Sequence, residues 1–68
     1  MANSVYKKIE VVGTSSKSFS DAVANAVQRA SSTVRNTAWF EVIEQRGRIN
    51  EGKIDQFQVT VKIGFRLE

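Results

Sequence analysis

The chain has 68 residues and a formal net charge of +3, and it contains neither cysteine nor histidine. Without thiols or imidazoles it cannot form disulfides, cysteine- or histidine-ligated metal sites, or Ser-His and thiolate catalytic centres. Because so small a core offsets the entropy of chain ordering only narrowly, we expect one domain, residues 1–68, stabilised by subunit association. The mild excess of positive charge permits anionic ligands without requiring them.

The N-terminal part is predicted to form a β-strand followed by a loop. From Val5 to Val12, apolar residues favour one parity, which is typical of a half-buried strand. Residues 13–16, with the sequence Gly-Thr-Ser-Ser, are predicted to be the loop that ends this strand.

A single amphipathic helix is predicted from about residue 18 to residue 35. Ser18 followed by Asp21 matches a helix start, because the hydroxyl can accept a hydrogen bond from a free backbone N–H. Apolar residues then recur at steps of three and four: Phe19, Val23, Ala26, Val27, Ala30 and Val34. Alanine is frequent in this stripe, so we expect the helix to pack closely on its partner and to stop near Asn36.

Two further strands are predicted, from Trp39 to Ile49 and from Phe57 to Leu67. Residues 50–53 connect them as a hairpin turn in which Gly52 supplies a positive φ. The order β-α-β-β predicts an α+β fold in which a three-stranded antiparallel sheet packs on the helix. One helix covers one face of such a sheet, so we expect the other face to meet a ligand or another subunit.

Trp39 is the only tryptophan, and the pattern allows two interpretations of it. Its parity is opposite to that of Phe40 and Val42, so it points away from the core if those two residues face the helix. It is then either a structural residue at an edge or interface, or a stacking platform for planar rings, worth ~1–3 kcal/mol per stacked base.

The polar face of the last strand and the preceding strand carry further candidates. The amide of Gln58 offers donors and an acceptor that match the edge of a pyrimidine-like ring. Arg46, Arg48 and Arg66 could clamp a phosphate, although an ordinary surface role is the alternative for each. Arg66 lies about 26 Å from Gln58 along the strand, so the two can share a pocket only if they come from different subunits.

Several classes of function lack support in the sequence. Glu41 and Glu44 have opposite parity, so we expect them on opposite faces and see no glycosidase-type pair. There is no nucleophile with a base and no glycine-rich phosphate loop. No apolar run approaches the ~18 residues of a membrane span, and residues 1–4 lack the features of a secretory signal. We therefore expect a cytoplasmic binding protein, not an enzyme.

With the strands placed, nearly the whole chain resembles the dodecins, a family of small flavin-binding proteins, in its bacterial branch. The resemblance rests on stretches that occur in this order: Tyr6–Ser15, Ala30 with Thr33–Arg35, Trp39–Val42, Gln45–Gly47 and Phe57–Leu67. It implies the same β-α-β-β fold, and it adds assembly of twelve identical subunits into a hollow shell.

The resemblance also implies a ligand and roles for individual residues. Flavins would lie in pairs at two-fold axes between indoles of Trp39, with Gln58 hydrogen-bonded to the pyrimidine edge of the flavin. Glu44 would lie near the ribityl chain, and Arg46 and Arg66 would favour FMN, although riboflavin and other flavins also fit the family. Members are regarded as flavin storage or sequestration proteins in which tryptophan quenches the excited flavin, and some bacterial members also bind coenzyme A.

Two alternatives remain beside this interpretation. A small basic nucleic-acid-binding module could use Trp39, Lys62 and Arg66 on the open sheet face, and its affinity would fall steeply with salt. A flavoenzyme would need an exposed reactive flavin edge and a proton donor, and the sequence offers no obvious donor.

Overall fold

The structure is a computed structural model that describes residues 3–68. It contains β1 (Tyr6–Ser15), α1 (Phe19–Thr33), β2 (Thr37–Asn50) and β3 (Lys53–Arg66). The three strands form one antiparallel sheet in the order β1-β3-β2, so the last strand lies in the centre. The predicted fold class is therefore confirmed.

The first strand is longer than its sequence pattern indicated. β1 remains paired with β3 as far as Ser15, so the loop predicted for residues 13–16 is wrong over most of its length. Gly13 lies inside the strand, where a Cβ would overlap the carbonyl oxygen of Ala22 and the Cβ of Ala26. This glycine therefore allows α1 to approach β1 closely, and it does not mark a turn.

The helix begins as predicted and ends two residues earlier. The Ser18 hydroxyl caps it by accepting a hydrogen bond from the backbone N–H of Asp21 at 3.0 Å. The chain turns away at Asn36, whose φ of 64° lies in the left-handed region that asparagine tolerates. The buried stripe of α1 consists of small residues: Ala22, Ala26 and Ala30.

The core lies between this alanine stripe and the central strand. Val59, Val61 and Ile63 of β3 are almost fully buried there, as their alternation predicted. The helix lies over β1 and β3 and hardly reaches β2. Consequently Phe40 and Val42 face the helix side of the sheet but remain 50% and 45% exposed.

The β2–β3 hairpin extends well beyond the helix. Its turn has positive φ at Glu51 (52°) and Gly52 (76°), which fits a two-residue hairpin connection. Both strands contain 14 residues, and the molecule measures 56 × 19 × 13 Å.

Within residues 3–68, no helix is long and apolar enough to cross a membrane.

Candidate functional site

The face of the sheet opposite α1, here called the outer face, carries the candidate residues. On β3 it contains the residues whose parity is opposite to that of the core: Gln56, Gln58, Thr60, Lys62, Gly64 and Arg66. Their partners on β1 and β2 complete two separate groups, which we call the indole cluster (Tyr6, Lys8, Trp39, Glu41 and Gly64) and the arginine cluster (Glu44, Arg46, Gln56 and Gln58).

The indole cluster is built on Gly64. Trp39 pairs with Gly64 across the sheet, and a Cβ at position 64 would overlap three carbons of the indole, Cδ2, Cε2 and Cζ2. The ring thus lies directly against the backbone of β3, and the Tyr6 ring packs beside it with centroids 5.0 Å apart. Trp39 remains 40% exposed, so the side of the indole away from the sheet is open to a ligand.

The indole N–H is already hydrogen-bonded within the chain. It donates to Oε2 of Glu41 at 2.9 Å, and the same carboxylate accepts from Nζ of Lys8 at 3.2 Å. The indole N–H and then the ammonium of Lys8 hold the pKa of Glu41 below its usual range. The carboxylate is therefore charged at neutral pH and holds one edge of the indole.

A β-bulge in β2 corrects the predicted position of Glu44. The register shifts at Ile43, so Glu41 pairs with Lys62 whereas Glu44 pairs with Thr60. Lys62 and Thr60 have the same parity on β3, so the two carboxylates lie on the same face, not on opposite faces. Because Ile43 is an extra residue, the even-numbered residues that follow it in β2, as far as position 48, lie on the outer face, whereas regular alternation from Trp39 would place the odd-numbered ones there.

The bulge also assembles the arginine cluster. Nε of Arg46 donates to Oε1 of Gln58 at 2.7 Å, and Nη1 donates to Oε1 of Glu44 at 2.6 Å. The amide nitrogen of Gln58 in turn donates to Oε1 of Gln56 at 2.8 Å. Three of the predicted site residues are therefore in one hydrogen-bonded group, in which Arg46 is already paired with a carboxylate.

The two clusters are separated within one chain. Gly64 and Gln58 are six residues apart on β3, about 20 Å at ~3.3 Å per residue. Trp39 and Gln58 therefore cannot contact the same aromatic ligand unless they come from different subunits. Arg66 pairs with Tyr6 and so lies at the indole end, whereas Arg48 is paired with Asp55 towards the hairpin turn.

Four residues of the indole cluster were not predicted as site residues: Tyr6, Lys8, Glu41 and, most informatively, Gly64. The signal was present, because a glycine inside a strand of otherwise larger residues often marks a close approach of another group. In the alternating pattern around it, Gly64 counted only as a position on the polar face. The structure shows that its missing side chain is what accommodates Trp39.

A model of the dodecin family matches residues 5–68. The chain belongs to the dodecin family. The dodecin of Thermus thermophilus is 48% identical to it over 64 residues, which cover 94% of this chain and 93% of that protein.

Solved dodecin structures agree with the observed fold. The dodecin of Streptomyces coelicolor superposes with a TM-score of 0.94 at 51% identity, covering 100% of this chain and 97% of the other. A more distant relative, calcium dodecin of Mycobacterium tuberculosis, is 34% identical over 64 residues that cover 94% of this chain and 90% of that protein. These relatives are bacterial, as the resemblance implied.

The comparisons support a small binding protein of a shell-forming family as the general class. The structure of the Mycobacterium tuberculosis relative is described as having a calcium-binding site. In the part of this chain that the structure describes, no group of three or more acidic side chains converges as metal ligands would.

Proposed function

We propose that the chain is a cytoplasmic flavin-binding protein that stores or sequesters flavin and suppresses its photoreactivity, without catalysing a reaction. The observation that carries this proposal is the state of Trp39: its ring lies on Gly64, its N–H is bonded to Glu41, and its outer surface is open. A ring held in this way offers a flat π-surface of fixed orientation, onto which the planar isoalloxazine of a flavin can stack.

Association of subunits completes the site in this proposal. A two-fold axis beside the indole cluster repeats Trp39 on the facing subunit, so that two indoles enclose a pair of stacked flavins. Because Gln58 lies about 20 Å from Trp39 in its own chain, the amide that binds the flavin edge comes from a neighbouring subunit. A homododecameric shell, as the family resemblance implies, supplies such axes.

The proposed preference among flavins depends on the arginines. FMN and riboflavin share the ring system, so stacking on Trp39 is equal for both, and only the phosphate can discriminate between them. Arg46 is held by Glu44 and Gln58 in the arginine cluster, and Arg66 lies at the indole end of the same face. We therefore propose FMN as the preferred ligand, with riboflavin and other flavins bound more weakly and coenzyme A as a separate ligand to be titrated.

Titration of the apoprotein with riboflavin, followed by quenching of flavin fluorescence, tests the proposal. We expect Trp39→Ala to weaken binding about tenfold or more, because a stacked ring contributes ~1–3 kcal/mol and 1.4 kcal/mol corresponds to tenfold. Phe19→Leu is the control, since it removes an aromatic ring of α1 that packs on Phe57, on the opposite face of the sheet from Trp39. A loss below about fivefold, or ~1 kcal/mol, for Trp39→Ala would make Trp39 a structural residue.

The nucleic-acid alternative is tested with the same protein. A single-stranded oligonucleotide is titrated at several salt concentrations, alongside riboflavin. The proposal expects riboflavin affinity that hardly changes with salt, because screening acts on charges and not on stacking. Tight oligonucleotide binding with a steep dependence on log salt, together with no quenching of riboflavin, would replace the proposal by the alternative.

A further inference from the structure

The indole cluster contains an ion pair that crosses the whole sheet. Lys8 belongs to the edge strand β1, and Glu41 belongs to the opposite edge strand β2. Lys8, Gly64 and Trp39 form one row of paired residues, and the indole of Trp39 occupies the space that a side chain at Gly64 would fill. At the N–H edge of this ring, Nζ of Lys8 reaches Oε2 of Glu41, which belongs to the next row of paired residues, at 3.2 Å.

We propose that Glu41 is a positioning residue for the flavin platform, which fixes the direction of the Trp39 indole with Lys8 as its counter-ion. The inference rests on the proposed function and adds a residue to it. Contact with the backbone at Gly64 fixes the plane of the ring, but a ring can turn over and keep its plane. The 2.9 Å hydrogen bond from Nε1 to Glu41 selects one of the two directions.

The indole N–H and the positive charges around Glu41 favour its ionised form. Two positive side chains face Glu41, Lys8 from β1 and Lys62 from β3. Two negative ones also face it, Glu10 from β1 and Glu44 from β2. The helix α1 lies on the opposite face of the sheet. The indole N–H, the ammonium of Lys8 and the more distant charge of Lys62 lower the pKa of Glu41. The hydrogen bond to the indole is therefore charge-assisted at neutral pH, and it weakens as the pH falls through that lowered pKa, because a protonated carboxyl is a poorer acceptor than a carboxylate.

Riboflavin affinity as a function of pH tests this inference in the assembled protein. Riboflavin is the probe because it has no phosphate, whose own titration near pH 6 would obscure the result. We expect the parent to lose about threefold to tenfold in affinity in acid. Glu41→Gln keeps an oxygen acceptor but no charge, so its affinity should not follow this titration, and Glu41→Ala should bind weakly at every pH. Glu10→Gln, with the same charge change on the same face, should behave as the parent.

The near-UV circular dichroism of the apoprotein provides a readout without flavin, because Trp39 is the only tryptophan. We expect its band to titrate in acid in the parent and in Glu10→Gln, and to be insensitive to acid in Glu41→Gln. If riboflavin fails to bind the parent, the proposed function is wrong, but the dichroism still tests Glu41. The inference is overturned if Glu41→Gln and Glu10→Gln give the same pH profile in both measurements.

Discussion

At the scale of single residues, the contact between Trp39 and Gly64 has the most consequences. A glycine inside a strand normally weakens it, because it contributes no side chain to packing and loses more chain entropy. Here the missing Cβ lets the indole lie on the backbone, so one ring face is covered by protein while the other is open. The prediction that Trp39 points away from the helix is confirmed, whereas its role towards flavin stays a prediction.

Gly64→Ala should remove the platform without touching Trp39. The added Cβ would overlap three indole carbons, so the ring must leave its place. We expect riboflavin affinity to fall about tenfold, in the ~1–3 kcal/mol range of a lost stacking contact. In a double-mutant cycle with Trp39→Ala, the second substitution should change the affinity little. Binding by Gly64→Ala equal to that of the parent would contradict this account of the site.

The arginine cluster raises a second residue-scale question, because Arg46 is not a free cation. Its guanidinium is bonded to Glu44 at 2.6 Å and to Gln58 at 2.7 Å, and its side chain is 47% exposed. A phosphate therefore meets a guanidinium whose charge Glu44 partly neutralises, and it competes with that carboxylate for the attraction of Arg46. Because the Arg46 side chain is half exposed, each charged contact contributes a binding free energy close to the ~0–1 kcal/mol of surface ion pairs.

Competition with Glu44 predicts how FMN selectivity should change. In the parent we expect FMN to bind at most about tenfold more tightly than riboflavin, which corresponds to ~1.4 kcal/mol. This ratio of affinities should decrease as the salt concentration rises, because salt screens the charged contact. Arg46→Ala should lower this ratio, and Glu44→Gln should raise it because the competing carboxylate is gone. Fluorescence-quenching titrations with both ligands measure the ratio, and Arg48→Ala is the control, since Arg48 lies farther towards the hairpin turn and does not contact Gln58. Equal affinities in the parent would remove the phosphate site.

At the scale of elements, the start of α1 shows how local signals specify a helix. The hydroxyl of Ser18 accepts from the backbone N–H of Asp21, while the half-buried carboxylate of Asp21 accepts from the hydroxyl of Ser15 at 2.7 Å. Ser15 itself accepts from the backbone N–H of Lys17 at 2.8 Å. The turn between β1 and α1 is thus tied to the helix start by short-range hydrogen bonds.

Loss of this cap should be measurable as loss of stability. We expect Ser18→Ala to destabilise the folded protein by about 1 kcal/mol, because the backbone N–H of Asp21 loses its hydrogen-bond acceptor. Thermal unfolding should be compared at one fixed protomer concentration, because association contributes to the apparent stability. Ser16→Ala, which changes an exposed serine two residues earlier, is the control. An unchanged melting temperature for Ser18→Ala would show that water replaces the cap without cost.

The bulge in β2 is the element-scale feature that shapes the site. Trp39 and Arg46 are seven residues apart, so regular alternation would place them on opposite faces of the sheet. The extra residue at Ile43 brings Arg46 back to the face that carries Trp39. No sequence signal marks this position, because Ile43 is as suitable for a strand as its neighbours.

At the scale of the whole molecule, the monomer leaves much apolar surface exposed. Phe40 and Val42 are uncovered on the helix side of β2, and Ile49 and Ile54 form a cross-strand pair beyond the helix, 73% and 69% exposed. An extended hairpin carrying such residues is typical of a chain that buries them against other copies. This agrees with a family of shell-forming proteins.

We expect a closed oligomer with twelve times the 7.6 kDa mass of one chain, measured by native mass spectrometry or light scattering. Ile54→Ser should weaken assembly, because fully burying such a side chain contributes ~1.5–3 kcal/mol per site. Lys53→Ser, at the adjacent first residue of β3, should leave the mass of the oligomer and its resistance to dilution unchanged. A stable folded monomer at micromolar concentration would contradict the expected assembly.

The sequence by itself determined the fold class and the orientation of most side chains. The alternation in β3, the alanine stripe of α1 and the cap at Ser18 are local patterns, and each was read correctly because side-chain direction follows backbone periodicity. The face on which Trp39 lies followed from the same rule. These features need only the neighbouring residues along the chain.

The tertiary structure alone decided which residues of the candidate site meet. The bulge at Ile43 depends on the register between β2 and β3, and the contact of Trp39 with Gly64 depends on which residues pair across that hairpin. The ion pair of Lys8 with Glu41 joins two strands that are not neighbours in the sheet. Parity along one strand contains no information about pairing between strands, and for this reason the two clusters could not be predicted from sequence.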